Sequence, residues 1–389
     1  MTYDGLFQGD VTGPLSVNIP LIDVVVVNYN GMPYLPDCLG SLFKTCYPSF
    51  HVIVVDNAST DDSVNWIKTH YPDVIIIENS VNEGFGRANL RGIRYAEFLR
   101  EDDHQGKCFR NDPNNFLLNA LRWDVFSAVR KVFPYCLRHR KGSFFKSASY
   151  FALINTDTRV EPDWLLNLVN VMESDENCAS ACSRLLFMDR PELINATGGG
   201  MNFLGHGYDH DIFAEARNVP VGRIVKDVFF PTAAACLVRR SAFYDVGGFD
   251  PSFFMYHEDV DLGWRFHLRG YSVKYVSDST VYHAFGGTSM KIGSMRFRNR
   301  LGLRHALRSL LKNYEMSTLL KVMPIFFRTY ISLFRAGIST GFFSALLWNL
   351  THLPGTIIQR HRVQRRRKVS DLDMKSLILQ DVQTPVNLN

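Results

Sequence analysis

Three short runs of β-branched residues constrain this chain more than any other feature: LIDVVVV (21–27), HVIVV (51–55) and DVIII (73–77). Their length and continuous apolar character match strands buried on both faces of a parallel sheet. Helix-like stretches separate them, PDCLGSLFKT after Leu35 and STDDSVNWIKTHY from Ser59, where Asp61, Asp62 and Ser63 favour a helix start. Strand and helix alternating at this spacing predict an α/β fold built from right-handed βαβ units, a Rossmann-like, mostly parallel central sheet flanked by helices. YFALI (150–154) predicts a fourth strand.

With 389 residues, 46% hydrophobic and 21% charged, the chain has the composition of a folded globular protein. The net charge of +5 hides an asymmetry: between Lys291 and Lys368 there are 16 Lys or Arg and a single acid, Glu315. That basic segment on an acidic body points to an anionic partner surface. No nucleic-acid-binding motif accompanies the charge, so a membrane is the expected partner and nucleic acid is not. Seven scattered Cys, with one CxxxC and no second pair, speak for reduced thiols rather than a zinc site. The first twenty residues form an N-terminal arm without a basic start or long apolar run, so no signal peptide is expected. Residues 97–148 turn polar, basic and aromatic; they predict an insertion with one amphipathic helix around Phe116–Phe133. Residues 180–285 predict shorter strands and Gly-rich turns such as Gly198-Gly199-Gly200, and 227–240 an extended segment.

Ligands in open α/β sheets bind beyond the carboxyl ends of the strands. The first strand ends in NYNG with Tyr29 and Asn30, and the second in DNAST with Asp56, whose carboxylate suits a base N–H or a ribose hydroxyl. The third is followed by NEGFGRAN, with Asn82 and Arg87. The two Gly there suit close approach to phosphate or sugar, although Asn89 breaks a dinucleotide-binding GxGxxG. The fourth ends in NTDT, with Asn155 and Asp157, and His283 closes a further predicted strand in VYHAFGG. Taken singly, each has an ordinary structural explanation as a turn or cap. Four strand ends with polar motifs at one edge are better explained by one ligand of several parts, such as a nucleotide diphosphate.

The motifs NYNG, VVDNASTDDS, NEGFGRAN, NTDT with PDWL, GGFDPSFFMYHEDVDLGWR and VYHAFGGTS resemble glycosyltransferase family 2 in their order. The branch they are most similar to includes bacterial rhamnosyltransferases of cell-surface polysaccharide assembly. The resemblance spans about 21–97 and 149–290 and implies a GT-A fold over 21–290. It implies an inverting transfer from a nucleotide-diphosphate sugar, dTDP-rhamnose or a UDP-sugar, to a lipid-linked or glycan acceptor. It further implies that Tyr29, Asn30, Asp56, Asn82, Arg87 and Asn155 hold the donor, and that Asp157 and His283 ligate a divalent cation, Mg2+ or Mn2+. Asp259 would be the catalytic base with Glu258 beside it. Asn155 stands where the family's DxD-type motif has its first acid. No QxxRW motif of processive members is present, so single-sugar transfer is expected. The alternative is a non-catalytic nucleotide-sugar-binding or scaffold protein on the same fold.

Two regions remain. Basic residues interleave with Leu in 296–314, while 336–359 contains no Lys, Arg, Asp or Glu but is diluted by polar residues and Gly. Together they predict a helical, membrane-associating region over 291–368, peripheral or monotopic on the cytoplasmic face, followed by a tail at 369–389. In 254–271 a helix is expected from near Asp259 to Gly270, with Val260, Trp264 and Leu268 as a buried stripe. Asp261 and Arg265 are expected as an i,i+4 surface pair, and Gly263 as open space beside Asp259.

Overall fold

The computed structural model describes residues 19–105, 148–286, 295–337 and 341–379. The four apolar runs form β1 (Ile22–Asn28), β2 (Phe50–Asp56), β3 (Ile75–Glu78) and β4 (Tyr150–Asn155). They lie parallel in the order β3-β2-β1-β4. The crossovers carry α1 (Leu35–Leu42), α2 (Ser63–His70) and α3 (Phe85–Gln105). β1 is covered on both faces: Ile22, Val24 and Val26 pack toward α1 and α2, and Val25 toward Ile93 and Ala96 of α3. Both faces apolar is what the unbroken β-branched run anticipated. Register pairs Asn28 with Asp56 and Val27 with Asn155, so the strand ends meet at one edge.

Beyond β4 the sheet becomes mixed. β11 (Ala235–Arg239) runs antiparallel between β4 and β6 (Cys178–Phe187), and β12 (Ser272–His283) lies parallel to β6. β6 and β12, at 10 and 12 residues, are the longest strands described, not the short ones expected for this half. β5 (Thr158–Val160) pairs with the end of β12, β7 (Ile194–Ala196) with β6, and β10 (Val225–Asp227) with β12. α4 (Trp164–Ser174) covers one face; α5 (Arg240–Asp245) joins α3 on the other.

Only Gly198 of the Gly triplet bends the chain, with φ 85°. Gly199 and Gly200 lie in β8 (Gly199–Asn202), which pairs with β9 (Gly207–Asp209). A Cβ at Gly199 would sit 2.0 Å from the Phe230 ring, and one at Gly200 would sit 2.4 Å from the Tyr208 ring. The glycines leave room for two aromatic rings that a Cβ at either position would strike.

α6 (Glu258–Leu268) is held between two cores. Leu262 and Phe266 face the sheet, whereas Val260, Trp264 and Leu268 face the C-terminal helices α7 (Met295–Asn313), α8 (Met316–Arg335), α9 (Phe342–Thr351) and α10 (Leu353–Arg366). The expected stripe is therefore real but is only half of the buried surface. The stretch 336–359 divides between α9 and α10, with Pro354 in the first turn of α10. Among the described residues no helix is long and apolar enough to cross a membrane. β13 (Ile378–Leu379) returns to pair with β8. The expected helix at 116–133 lies outside the described residues, as do 1–18 of the N-terminal arm and 380–389 of the tail.

Candidate active site

Parallel register creates the first part of the site. Asn28, at the end of β1, donates from Nδ2 to Asp56 Oδ1 at 2.8 Å and to Ser63 Oγ at 2.8 Å. Asp56 Oδ2 accepts from the Ser59 amide at 2.9 Å. The buried Asp56 carboxylate is thus oriented by the adjoining strand and its own loop. Asn30 adopts φ 50° and accepts the Thr60 amide on Oδ1 at 2.7 Å, tying the β1 and β2 loops together. Tyr29 is half-buried between them. Asn28 was not singled out from sequence, because its role as a hub depends on strand pairing.

Asn82 also shapes a loop: its Oδ1 accepts from Asn57 Nδ2 at 3.0 Å and from the Gly84 amide at 2.9 Å. The close approach that Gly84 permits is to the protein itself. It has φ 82°, a Cβ there would meet the Phe254 carbonyl oxygen at 1.8 Å, and the Phe85 amide donates to that oxygen at 2.7 Å. The NEGFG loop thereby braces the segment leading into α6. Arg87 is exposed and donates from Nε to the Pro251 carbonyl at 2.5 Å, bridging the same two segments.

β5 folds back on β12 and pairs Thr158 with His283. That brings Asp157, the residue after Asn155-Thr156, beside the imidazole: His283 Nε2 lies 3.4 Å from Asp157 Oδ1. Both side chains are buried. Asn195 Oδ1 lies 2.8 Å from His283 Nδ1 and accepts its proton. Nε2 is then the nitrogen presented to the carboxylate, the arrangement that orients histidine ligands in metal sites. An imidazole nitrogen and a carboxylate oxygen aimed at one point fit a divalent cation whose remaining ligands are phosphate oxygens and water. They do not make a full protein cage, and among the described residues no cluster of three or more His, Cys, Asp or Glu does.

The three acids of α6 separate sharply. Asp261 is not on the helix surface: it is fully buried, 2.9 Å from Arg265 and 2.9 Å from Lys312 Nζ, and accepts from Ser309 and Asn313. Lys312 also reaches Asp250 at 2.6 Å, where Arg308 adds a second cation at 2.9 Å. Burial opposes ionisation of Asp261, but Lys312 and then Arg265 outweigh it and hold the carboxyl well below the usual range. Neither Glu258 nor Asp259 has a cation within salt-bridge distance among the described residues. Burial, with the Asp259 charge as a second cause, pushes Glu258 up to about 8. Burial likewise raises Asp259 to about 6, against the Val260 amide, which donates to its Oδ1 at 2.8 Å. Both neighbouring acids are thus held above the ordinary carboxyl range, Glu258 further than Asp259.

Gly263 gives no open space to Asp259. A Cβ there would lie 2.5 Å from the Phe229 carbonyl oxygen and 2.7 Å from Phe230 Cα, so the glycine lets α6 pack against that segment. A further acid emerges only in three dimensions. Asp209 on β9 is raised to about 7, by burial first and then by Asp259, with His283 opposing. Its proton affinity thus responds to Asp259 on one side and to His283 on the other.

A family model described as Glycosyl transferase family 2 matches residues 23–97, and one described as Glycosyl transferase family group 2 matches residues 150–359, more than half of the chain. An N-acetylglucosaminyl-diphospho-decaprenol L-rhamnosyltransferase of Mycobacterium tuberculosis is 27% identical over 265 residues, covering 68% of this chain and 76% of the relative. A poly(ribitol-phosphate) beta-glucosyltransferase of Bacillus spizizenii is 37% identical over 96 residues, 22% of this chain and 15% of its own length. A crystal structure of GalNAc-T7 with UDP, GalNAc and Mn2+ matches with a TM-score of 0.52 at 14% identity, covering 77% of this chain. The chain spans about half of that structure (49%), and the likeness is one of fold alone.

Proposed function

We propose a reaction for this site from one premise: the chain belongs to glycosyl transferase family group 2, in its rhamnosyltransferase-like branch. The reading is an inverting transfer of a single sugar from a nucleotide-diphosphate donor to a lipid-linked acceptor. Rhamnose from dTDP-rhamnose is the first choice of donor, because the Mycobacterium tuberculosis relative is named for that sugar and for a decaprenol-linked acceptor.

One observation carries the reading: among the described residues Asp259 has no cation within salt-bridge distance and is raised to about 6 by burial, while Asp157 and His283 meet at 3.4 Å beyond the strand ends. A base with this value is ionised near neutrality yet still basic enough to accept a hydroxyl proton. Asp259 takes the proton of the acceptor hydroxyl as its oxygen attacks C1 of the sugar. The C1–oxygen bond to the diphosphate breaks on the opposite face, and Asp259 then returns the proton to solvent. Glu258, whose protonated form is favoured by burial and by the Asp259 charge, offers an O–H to orient the acceptor. Asp56, with Tyr29, Asn30 and Asn82 around it, receives the nucleoside, and Arg87 and Asn155 flank the diphosphate. Asp157 and His283 would hold a divalent cation, which when bound supplies positive charge to the leaving diphosphate. Thermal-shift measurement with dTDP-rhamnose and UDP-sugars, each with and without Mn2+ or Mg2+, tests this. A rise in Tm that needs both sugar nucleotide and cation, abolished by Asp157→Ala, is expected. Stabilisation by donor that is indifferent to cation would refute the metal assignment.

The C-terminal helices supply the membrane side of the same reading. Leu320 on α8, Phe343, Leu347 and Leu350 on α9, and Ile357 on α10 are each more than half exposed. Lys321, Arg328, Arg335, Arg362 and Arg365 are exposed among them. Exposed apolar residues and exposed cations on the same run of helices fit a peripheral contact with an anionic, cytoplasmic membrane face. Leu347→Asp together with Leu350→Asp is expected to release the protein from phosphatidylglycerol-containing vesicles in co-sedimentation; unchanged binding would refute this face.

A further inference from the structure

We propose that His305 on α7 is a positioning residue that holds the Tyr256–His257 turn and thereby aims the carboxylates of Glu258 and Asp259. The inference rests on the assignment of Asp259 as the base.

The turn requires holding. Tyr256 has φ 65° and His257 φ 77°, two consecutive side-chain-bearing residues in the left-handed region. Only glycine enters this region readily, and such residues persist where surrounding contacts determine them. They lie immediately before the first turn of α6, so any relaxation of the turn swings Glu258 and Asp259. α6 has no side-chain N-cap to secure this end. Three backbone contacts do the work instead. The Asp261 amide donates to the His257 carbonyl at 3.0 Å, and the Phe85 amide to Phe254 at 2.7 Å. The third comes from a side chain: His305 Nδ1 lies 2.8 Å from the Tyr256 carbonyl oxygen.

His305 is built for that single contact. Its side chain is almost completely buried. Burial pulls it down to about 4, so the ring is neutral and Nδ1–H is the donor. The ring stacks on Phe253 at 4.4 Å with an interplanar angle of 18° and meets Trp348 of α9 edge-on at 5.8 Å. Aromatic contacts on two sides fix the direction of the N–H. Without that bond the Tyr256 carbonyl loses its partner, and the peptide is free to rotate toward the right-handed region.

The effect falls on the chemical step. Of the residues assigned to the donor, Tyr29, Asn30, Asp56 and Asn155 stand at the ends of β1, β2 and β4, apart from α7, whereas a base displaced by about 1 Å loses roughly 10²-fold in rate. His305→Phe preserves the ring stack and deletes the donor. His305→Asn returns an N–H close to the place of Nδ1. Initial rates are measured with dTDP-rhamnose, N-acetylglucosaminyl-diphospho-decaprenol and Mn2+, together with amide hydrogen exchange over 256–262. His305→Phe is expected to lower kcat by about tenfold or more, to leave donor KM within about twofold, and to speed exchange at 256–262. His305→Asn is expected to recover most of the loss. Wild-type kcat in His305→Phe, equal loss in both variants, or unchanged exchange overturns the proposal. Asp259→Asn run in parallel separates the two ideas. If Asp259→Asn retains full turnover, the base assignment fails. If it is inactive while His305→Phe behaves as wild type, only the positioning role fails.

Discussion

Asp259 and Asp261 stand two positions apart in the first turn of α6; Asp261 is fully buried and Asp259 half-buried. Around Asp261 stand Arg265, Lys312, Ser309 and Asn313; around the half-buried Asp259 stand backbone amides and the buried Glu258. Burial disfavours both ionised forms, but only Asp261 has cations that outweigh it. The helix N-terminus favours negative charge at either position and so does not distinguish them. What differs is the direction each side chain takes, toward α7 or toward the strand edge. One acid becomes part of the scaffold; the other retains the proton affinity that chemistry requires.

The largest expected effect breaks the reactive side of this comparison. Asp259→Asn removes the base while keeping size and most hydrogen bonding, and is expected to lower turnover by about 10²–10⁴-fold. Donor-induced thermal stabilisation should be nearly unaltered, as read by steady-state rates and thermal shift on the same preparation.

Next in size is a break on the scaffold side. Lys312→Met would leave Asp250 and Asp261 buried with too little positive charge, which costs about 3–5 kcal/mol when a buried pair loses one member. Denaturant unfolding should show that loss. The same network has a pH signature. Asp250 and Asp261 are held below their ordinary values, so the stability they contribute is present above about pH 4 and is lost as the pH falls below it. Lys312→Met should flatten that acid limb.

The smallest expected effect sharpens the contrast within the reactive pair. Activity should rise as Asp259 ionises near pH 6. Glu258→Gln should leave that limb in place, because Glu258 is still protonated there and loses its proton only near 8. Raised carboxyls act on stability in the opposite sense to Asp261: their contribution is complete below the ordinary carboxyl range and is lost as pH rises, to about 6 for Asp259 and about 8 for Glu258. Thermal melts across that range should therefore decline less in Glu258→Gln than in the wild type.

Much of the fold was legible because its signals are local. β1 to β4 begin and end within two residues of the apolar runs, and the helix at Glu258 starts one residue from its expected position. The mixed second half was not legible. β6 and β12 carry buried polar residues such as Ser180, Ser183, Ser277 and Ser279, and so read as shorter strands broken by turns. Their burial comes from neighbouring strands rather than from their own composition. Gly84, Gly199 and Gly263 were visible as glycines, but not what each one approaches.

The site divides in the same way. Sequence by itself determined the parallel β-branched core, the polar residues at its carboxyl edge, and the acidic start of α6, because strand period, burial and helix capping act over a few neighbours. Only the tertiary structure decided that His283 meets Asp157 and is oriented by Asn195, that the charges of Asp259 and His283 both act on Asp209, and that Lys312 claims Asp261 while leaving Asp259 alone. The separations in sequence are large, 126 residues between Asp157 and His283 and 51 between Asp261 and Lys312. A proton affinity depends on the charges and solvent within a few ångströms of a group. Those neighbours are chosen by packing, so the chain discloses which acids it has and the fold discloses which of them can react.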